Sequence, residues 1–332
     1  MIISSIIWWS LAWTILGSAI LAVTQGVTRY IRNAAARHLA WLVAFSSVWL
    51  FPAYAAMSVV AWENDAVPCS TAPPISTTRL AVICVVLIGW VGGAIFTIAR
   101  AMMARRMVNQ WYVRSRDYQE ALKRRHLSEL PALFPKNTEV RVSLHAELMV
   151  PITWGVRKPV VLLPTHATEW ESSRLTAVLL HEVAHIRRFD NLTQLFALLT
   201  CAFHWFNPVF WHGSRIMEAE SEIAADDFAL LRGVKPSNYA EVLLSLAAQL
   251  SHSTSHSVFA QTAMIKPFTL EHRLLTIINP NAARGPIRLL SLVPAVAILL
   301  GAILTITILT PRVTASLHPK APAAPSCLPA RS

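Results

Sequence analysis

Charged residues and cysteines are both scarce in this sequence. Charged side chains make up 14% of the 332 residues, whereas a soluble globular domain usually carries about 25%. Hydrophobic residues make up 54%, so the composition indicates an integral membrane protein. The 4 cysteines include no CxxC pair. Their spacing therefore indicates neither a thiolate metal site nor a disulfide framework.

Acidic residues are few relative to basic ones, 18 against 29, which gives a formal net charge of +11. A basic chain can bind nucleic acid, but these basic residues are not interleaved with aromatic residues on a soluble domain. They lie beside apolar runs, which is typical of the charges that orient a membrane protein. We therefore expect the lipid bilayer as a partner and no direct binding of nucleic acid.

Four uncharged apolar runs have lengths that suit membrane-spanning helices, which need ~20 residues. The first lacks the basic leader and the convincing cleavage motif of a signal peptide, so we expect it to remain as a helix. A proline inside the second run is tolerated where neighbouring helices satisfy the freed carbonyl. The runs cover about residues 2–23, 39–62, 80–99 and 289–310.

The loops between the runs differ in charge, and this difference predicts the topology. The first loop carries Arg29, Arg32 and Arg37 with no acidic residue, whereas the second carries Glu63 and Asp65. Basic loops stay in the cytoplasm. We therefore expect a multi-pass membrane protein with both termini outside and the long segment after the third run in the cytoplasm.

This topology divides the chain into four parts. Cys69 and Cys327 both lie on the predicted outside, where they could pair. The last part is rich in Pro and Ala, a composition typical of disorder. The parts are three N-terminal transmembrane helices in 1–100, a cytosolic domain in 101–286, a fourth transmembrane helix in 287–311 and an extracytoplasmic disordered tail in 312–332.

The cytosolic part contains signals for both strands and helices. Residues 110–130 have the charged faces of a helix. Alternation over 140–144 and the apolar stretch 160–163 indicate strands. A helix then follows, for which Thr168 and Glu171 have the spacing of a capping box.

The stretch "LLHEVAHIRRFDN", residues 179–191, lies on that helix. His181 and His185 fall about 40° apart on one face and one turn apart, so both imidazoles can reach one metal ion. Glu182 can reach a water on that metal as general base, which is the HExxH arrangement. We expect Asp190 to bond a helix end or nearby backbone, and Arg188 to lie on a solvated or headgroup-facing surface.

A second acidic helix could supply the third ligand. Glu218, Glu222 and Asp226 are four residues apart in "MEAESEIAADDFALLRG" and share one face, and the helix is expected to end at Gly233. Like charges at this spacing repel each other, and a cation would explain the stack. Spacing does not choose between Glu218 and Glu222 as ligand. Asp226 suits a role behind the metal, accepting a hydrogen bond from a ligand imidazole.

The combination of "HEVAHIRRFDN", "FHWFNPVFW" and "ESEIAADDFAL" resembles the M56 family of membrane zinc metallopeptidases. This family includes the BlaR1/MecR1-type β-lactam signal transducers. The resemblance covers nearly the whole chain and implies His181, His185 and Glu222 as ligands of Zn²⁺, with Glu182 as catalytic base. It does not extend to an extracellular penicillin-binding domain after the last span. We therefore do not expect direct β-lactam sensing by this chain.

The resemblance implies a zinc endopeptidase embedded in the inner (plasma) membrane of a bacterium, with a regulatory role. It would cleave a cytosolic or membrane-proximal protein, such as a repressor-type regulator, or itself. One alternative is a non-catalytic signalling scaffold, against which the intact Glu182 argues. Another is a quality-control protease of the M48 type, since the spacing of Glu222 and Asp226 also resembles that group.

One further apolar segment, about 192–206, separates the two motifs. It has about 15 residues before a proline, fewer than the ~20 that a span needs, so we expect a buried or membrane-apposed helix. His204 and His212 near its end are interpreted as structural. The expected fold is a mainly α-helical membrane protein with four transmembrane helices. A cytosolic α+β metalloprotease domain of the gluzincin type is inserted between the third and the fourth.

Overall fold

The computed structural model describes residues 2–54, 77–118, 140–251, 267–285 and 292–317. Most of these residues are helical, as expected, and one small sheet accompanies the helices. The elements are α1 (Ile2–Thr28), α2 (Ala34–Val48), α3 (Thr77–Arg114), β1 (Arg116–Asp117), β2 (Arg141–His145), β3 (Ile152–Trp154), β4 (Val160–Pro164), a 3-10 helix (Thr165–Glu169), α4 (Ser172–Arg188), α5 (Asp190–Phe203), α6 (Pro208–Leu231), α7 (Pro236–Ser251), α8 (Pro267–Ile278) and α9 (Val293–Leu317).

Three helical stretches are long and apolar enough to cross a membrane: Ser10–Thr28, Ala34–Tyr54 and Leu80–Arg114. They correspond to the first three apolar runs, and the third continues well past the domain boundary predicted at residue 100. The fourth predicted span falls in α9, whose stretch Val293–Thr305 is apolar but shorter.

The structure describes only the beginning of the segment that was predicted to be a disordered tail. α9 ends at Leu317, so the first residues of the segment predicted as a disordered tail are helical. Cys69, Cys327 and the remainder of the tail lie outside the described residues.

α2 lies at the centre of a helical bundle and packs against α1, α6 and α9. Trp41 and Phe45 of α2 are fully buried in its core. Two glycines allow the close approach: a Cβ at Gly213 of α6 would lie 2.9 Å from the Trp41 ring, and one at Gly17 of α1 would lie 2.7 Å from the Phe210 ring. α6, the helix with the candidate third ligand, is thus packed directly on the predicted membrane helices.

α5 and the first half of α6 form a helical hairpin that inserts into this bundle. Indole groups of the predicted spans hydrogen-bond to the last turn of α5: Trp49 Nε1 donates to Thr200 Oγ1 at 2.9 Å, and Trp90 Nε1 donates to the Phe203 carbonyl at 2.9 Å. The tip, residues 204–207, separates the two helices. The Trp90 indole thereby satisfies a carbonyl group that the end of α5 leaves without a partner inside the helix.

The direction of the hairpin follows from its contacts along α2. After the tip, Gly213 of α6 lies against Trp41 in the middle of α2. Further along α6, Ala224 lies against Ala34 at the start of α2. The chain therefore leaves the bundle on the side where α5 began. α5 has 14 residues and is about 21 Å long, less than the ~30 Å of a bilayer core. Residues 192–206 therefore belong to a helical hairpin that turns back, with one face packed in the bundle and apolar side chains such as Leu192 and Phe206 exposed on the other.

The sheet has the strand order β1-β2-β4-β3, with β2 and β4 parallel and β3 antiparallel to β4. The strands predicted at 140–144 and 160–163 are confirmed. α4 covers one face, where Leu175 and Leu179 pack on Val161. β3 is an edge strand of the described sheet and runs beside the helix that carries the two histidines.

Two local predictions in this region are wrong. α4 begins at Ser172 after Glu171, and no side chain caps it. Thr168 Oγ1 donates to the Thr165 carbonyl instead, within the 3-10 helix. The helix predicted over 110–130 ends at Arg114, and β1 follows because its backbone pairs with β2. Residues 119–139 lie outside the described part.

Candidate metal centre

α4 and α6 bring three candidate ligands together. His181 Nε2 and His185 Nε2 are 3.2 Å apart. The Glu222 carboxylate of α6 lies 3.4 Å from His181 Nε2 and 3.5 Å from His185 Nε2. Among the described residues, these three form the group whose ligand atoms lie within 4.8 Å of one another. Glu218 is not part of it.

Carboxylates behind the histidines fix which ring nitrogen carries the proton. His185 Nδ1 is 2.7 Å from Asp190 Oδ2, and His181 Nδ1 is 3.0 Å from Asp226 Oδ1. A carboxylate can only accept, so in the neutral imidazoles each Nδ1 donates and each Nε2 presents a lone pair. Two lone pairs and the Glu222 carboxylate then converge without a donor between them. A metal cation fits this donor set, since two imidazoles and a carboxylate are characteristic zinc ligands.

Asp190 was expected to bond a helix end or nearby backbone, but its carboxylate instead bonds the side chains of His185 and Arg188. Phe189 ends α4 in the left-handed conformation, with φ 56°, so α5 starts at a sharp angle and Asp190 turns back onto His185. Asp190 also pairs with Arg188. The Arg188 guanidinium further donates to the Ser221 carbonyl of α6 at 2.7 Å, which links the two ligand helices and corrects the expectation of a solvated face.

Two residues from later helices complete the centre, and sequence reasoning missed both. Arg273 of α8 donates to both Asp226 oxygens at 2.8 and 2.7 Å, and it pairs with Glu222 at 2.9 Å. The Tyr239 hydroxyl of α7 donates to Asp226 at 2.7 Å and lies 2.9 Å from His181 Nδ1. The stack of acidic side chains on α6 was the available signal, because buried carboxylates require positive partners.

The electrostatics of the centre favour a positive charge between the ligands. Burial alone would raise the pKa values of Glu222 and Asp226, but Arg273 and the neighbouring histidine His181 together outweigh burial. The pKa of Glu222 therefore lies well below its usual range and that of Asp226 is about 2. For His181, burial lowers the pKa, but hydrogen bonds to Asp226 and Glu222 outweigh burial and raise it to about 9. In the metal-free centre the second proton on the imidazole of His181 supplies this positive charge.

Glu182 faces a cavity of about 100 Å³ that the three candidate ligands also line. Thr153 Oγ1 of β3 donates to Glu182 Oε2 at 2.5 Å, so the edge strand fixes the orientation of this carboxylate. Asn191 Nδ2 donates to the Thr153 carbonyl at 3.2 Å and anchors the strand to α5. The opposite wall is apolar. It consists of Val178 of α4, Val242, Leu243 and Leu246 of α7, and Leu270 of α8.

The remaining histidines near the hairpin do not line this cavity. His204 is buried at the hairpin tip and stacks on Phe210, with ring centroids 4.0 Å apart. His212 Nε2 lies 3.2 Å from the amide of Gln25 in α1. Both contacts belong to the packing of the hairpin against the bundle.

Comparison with known proteins gives two similarities. The profile of the family described as BlaR1 peptidase M56 matches residues 4–277. The regulatory protein BlaR1 of Bacillus licheniformis is 32% identical over 136 residues, which are 40% of this chain and 22% of that protein. The chain thus matches about a fifth of the length of this relative. The family match includes α4, α6 and Arg273.

Proposed function

Because this chain belongs to the M56 family of BlaR1-type peptidases, we propose that it is a membrane-embedded zinc endopeptidase with a regulatory role. One observation carries the proposal. Two imidazole lone pairs and the Glu222 carboxylate converge within 4.8 Å, with Asp190 and Asp226 behind the histidines. Such outer carboxylates orient metal-bound imidazoles and increase their basicity.

In this proposal His181, His185 and Glu222 hold the metal, and Glu182 acts as the base. Bound zinc supplies a water of lowered pKa and polarises a peptide carbonyl. Glu182 accepts the proton of the attacking water and delivers it to the leaving amine. Thr153 keeps the carboxylate aimed into the cavity by its hydrogen bond. Arg273 and Tyr239 hold Glu222, Asp226 and the ring of His181 in position.

The substrate would lie between the edge of β3 and the apolar wall of α7. An extended peptide can add to an exposed sheet edge through main-chain hydrogen bonds. The apolar wall of Val242, Leu243 and Leu246 suits a hydrophobic side chain next to the scissile bond. This arrangement favours an unfolded or extended segment of a protein as substrate.

The membrane arrangement is part of the proposal. α1, α2, α3 and α9 would be the four spans, with both termini outside and the peptidase domain in the cytoplasm. The α5–α6 hairpin would enter the bilayer from the cytoplasmic side and return, so that Glu222 and the two histidines remain on that side. The centre would then cleave proteins near the inner membrane surface: a repressor-type regulator, another membrane-proximal protein, or the chain itself.

Comparative proteomics tests this function. Cells carrying the wild type should contain new protein N-termini that are absent from cells carrying Glu182→Gln, because this change leaves the ligands but removes the base. Glu241→Gln serves as a matched control, since Glu241 is exposed on α7. It should yield the wild-type set.

The result is interpretable only if the variant protein still binds zinc. Purified Glu182→Gln should contain as much zinc as the wild type. Identical sets of N-termini in the two strains, with zinc present in both proteins, would exclude proteolysis that depends on Glu182.

A further inference from the structure

A second cavity of about 610 Å³ lies where the α1–α2 loop meets α6 and α8. It shares no lining residue with the cavity at the metal centre. Its basic wall consists of Arg29, Arg32 and Arg37. The positive charge of this loop is sufficient to orient the chain in a membrane, but orientation alone does not require a cavity.

The charges around the cavity are only partly neutralised. Arg37 pairs with Glu220 at 2.7 Å, and Asp227 pairs with Arg284 at 3.2 Å. Within the described part of the chain, the side chains of Arg29 and Arg32 have no hydrogen-bonding or ionic partner. Two guanidinium groups are therefore available to an anion, and guanidinium groups bind phosphate oxygens in bidentate geometry.

The backbone adds further donors at the same place. α2 begins beside the cavity, and Ala34 of its first turn lines it. Asn33 caps this helix by accepting from the Ala36 N–H at 3.0 Å. The N–H groups of Ala34 and Ala35 have no partner inside the helix and lie at the positive end of its dipole. A helix N-terminus with adjacent arginines is suited to a phosphate group.

The position of the loop identifies the source of such a group. Arg29 and Arg32 follow Thr28, where one candidate span ends, and Ala34 begins the next. In the proposed topology this loop lies at the level of the lipid headgroups on the cytoplasmic side. Tyr30 lies between Arg29 and Arg32 in the sequence and is 88% exposed, as expected of an aromatic residue at a membrane interface.

We propose that this cavity binds the phosphate of an anionic phospholipid headgroup and thereby stabilises the metal centre. The inference rests on the proposed membrane insertion. α6 presents Glu220 and Asp227 to the cavity, and it presents Glu222 to the histidines. α8 presents His272 to the cavity and Arg273 to the ligand helix. A bound headgroup therefore holds together the two helices whose contact fixes Glu222.

Native mass spectrometry of the full-length protein tests the binding. The protein is released from micelles containing equal amounts of phosphatidylglycerol and phosphatidylcholine, and the fraction that retains phosphatidylglycerol is measured. Arg29→Gln/Arg32→Gln should weaken retention on the order of twentyfold, since each basic residue near an anionic surface contributes about fivefold. Arg157→Gln/Arg232→Gln removes the same charge from exposed residues outside the cavity and should change little.

Equal losses in the two double variants would refute a specific site, because only net charge would then matter. Arg29→Lys/Arg32→Lys keeps the charge and should retain part of the binding. Intact zinc content and an unchanged unfolding temperature identify variants that have folded. Lipid binding is measured without reference to proteolysis, so it can succeed even if the peptidase proposal fails.

Zinc retention tests the link to the metal centre. Wild-type protein in phosphatidylglycerol nanodiscs should lose zinc to a chelator more slowly than in phosphatidylcholine nanodiscs, and the Arg29→Gln/Arg32→Gln variant should show no difference. Equal rates for the wild type would refute the link. Inorganic phosphate added to the phosphatidylcholine nanodiscs distinguishes the sources. Inorganic phosphate could slow zinc loss from the wild type as much as phosphatidylglycerol does, and leave the Arg29→Gln/Arg32→Gln variant unaffected. In that case free phosphate is the ligand and the lipid assignment is overturned.

Discussion

Removing the carboxylate behind His185 is the sharpest test of the metal centre. Asp190 is buried and accepts from His185 Nδ1 at 2.7 Å, but it is no ligand itself. In Asp190→Asn the side chain keeps its size and loses its charge. The amide can also present its NH₂ group to Nδ1, which moves the ring proton to Nε2 and blocks the nitrogen that faces Glu222.

The expected magnitude follows from the role of such partners. Loss of an outer-shell hydrogen-bond acceptor typically costs 10–100-fold in metal affinity, which corresponds to about 1.4–2.8 kcal/mol. We expect the upper part of this range, because Asp190 is 1% exposed and water cannot easily replace it. Arg188 keeps its bond to the Ser221 carbonyl, so the contact between α4 and α6 should remain.

Competition with a chromophoric zinc chelator measures the effect. Titrations of Asp190→Asn should shift by one to two orders of magnitude relative to the wild type. Asp117→Asn, an exposed aspartate on β1, is the matched control and should not shift. If the two variants give superimposable curves, Asp190 does not support a metal ligand and the tautomer argument fails.

Three other predictions concern the same centre and its orientation in the membrane. Glu222→Ala should lose zinc at chelator concentrations at which Glu218→Ala retains it; the reverse order would exclude Glu222 as ligand. The pKa of His181 in the metal-free protein is about 9, so below that pH zinc must displace a proton. Apparent zinc affinity should accordingly rise by about tenfold per pH unit between roughly pH 6 and 8; calorimetry in buffers of different ionisation enthalpy would detect the released proton, and a pH-independent affinity would contradict it. Reporter fusions after residue 120 should be cytoplasmic and those after residue 320 external, and a cytoplasmic signal at 320 would mean an error in the number of spans.

Local sequence signals were sufficient for the helix that carries the histidines and for the helix end at Gly233. Gly233 has a φ of 93°, a conformation that favours glycine after the last turn. The start of α4 could not be predicted from the Thr168 capping pattern. Trp170 is buried between His166 and Arg174 with an extended backbone, so tertiary packing of one aromatic ring delays the helix to Ser172.

The partners behind the ligands were beyond sequence reasoning for a different reason. Arg273 is 47 residues from Asp226 along the chain, and Tyr239 is 58 residues from His181. No periodicity or motif spacing connects residues at such separations. Asp190 is close in sequence, yet its role depends on the left-handed backbone of Phe189, which a large non-glycine residue adopts only when the surrounding structure requires it.

α2 supports both halves of the candidate centre, and this has a consequence for regulation. α5, which begins with Asp190 behind His185, is held to the end of α2 through the Trp49–Thr200 hydrogen bond. α6, which carries Glu222, packs its Gly213 directly on Trp41 of α2. The distance between the histidines and Glu222 therefore depends on how both helices sit against one predicted membrane span. Packed helices of this kind shift as units rather than deform continuously, so we expect a displacement of α2 to move α5 and α6 with it. If the centre binds metal as proposed, a movement of this span would change the positions of Asp190 and Glu222 without any direct contact to them.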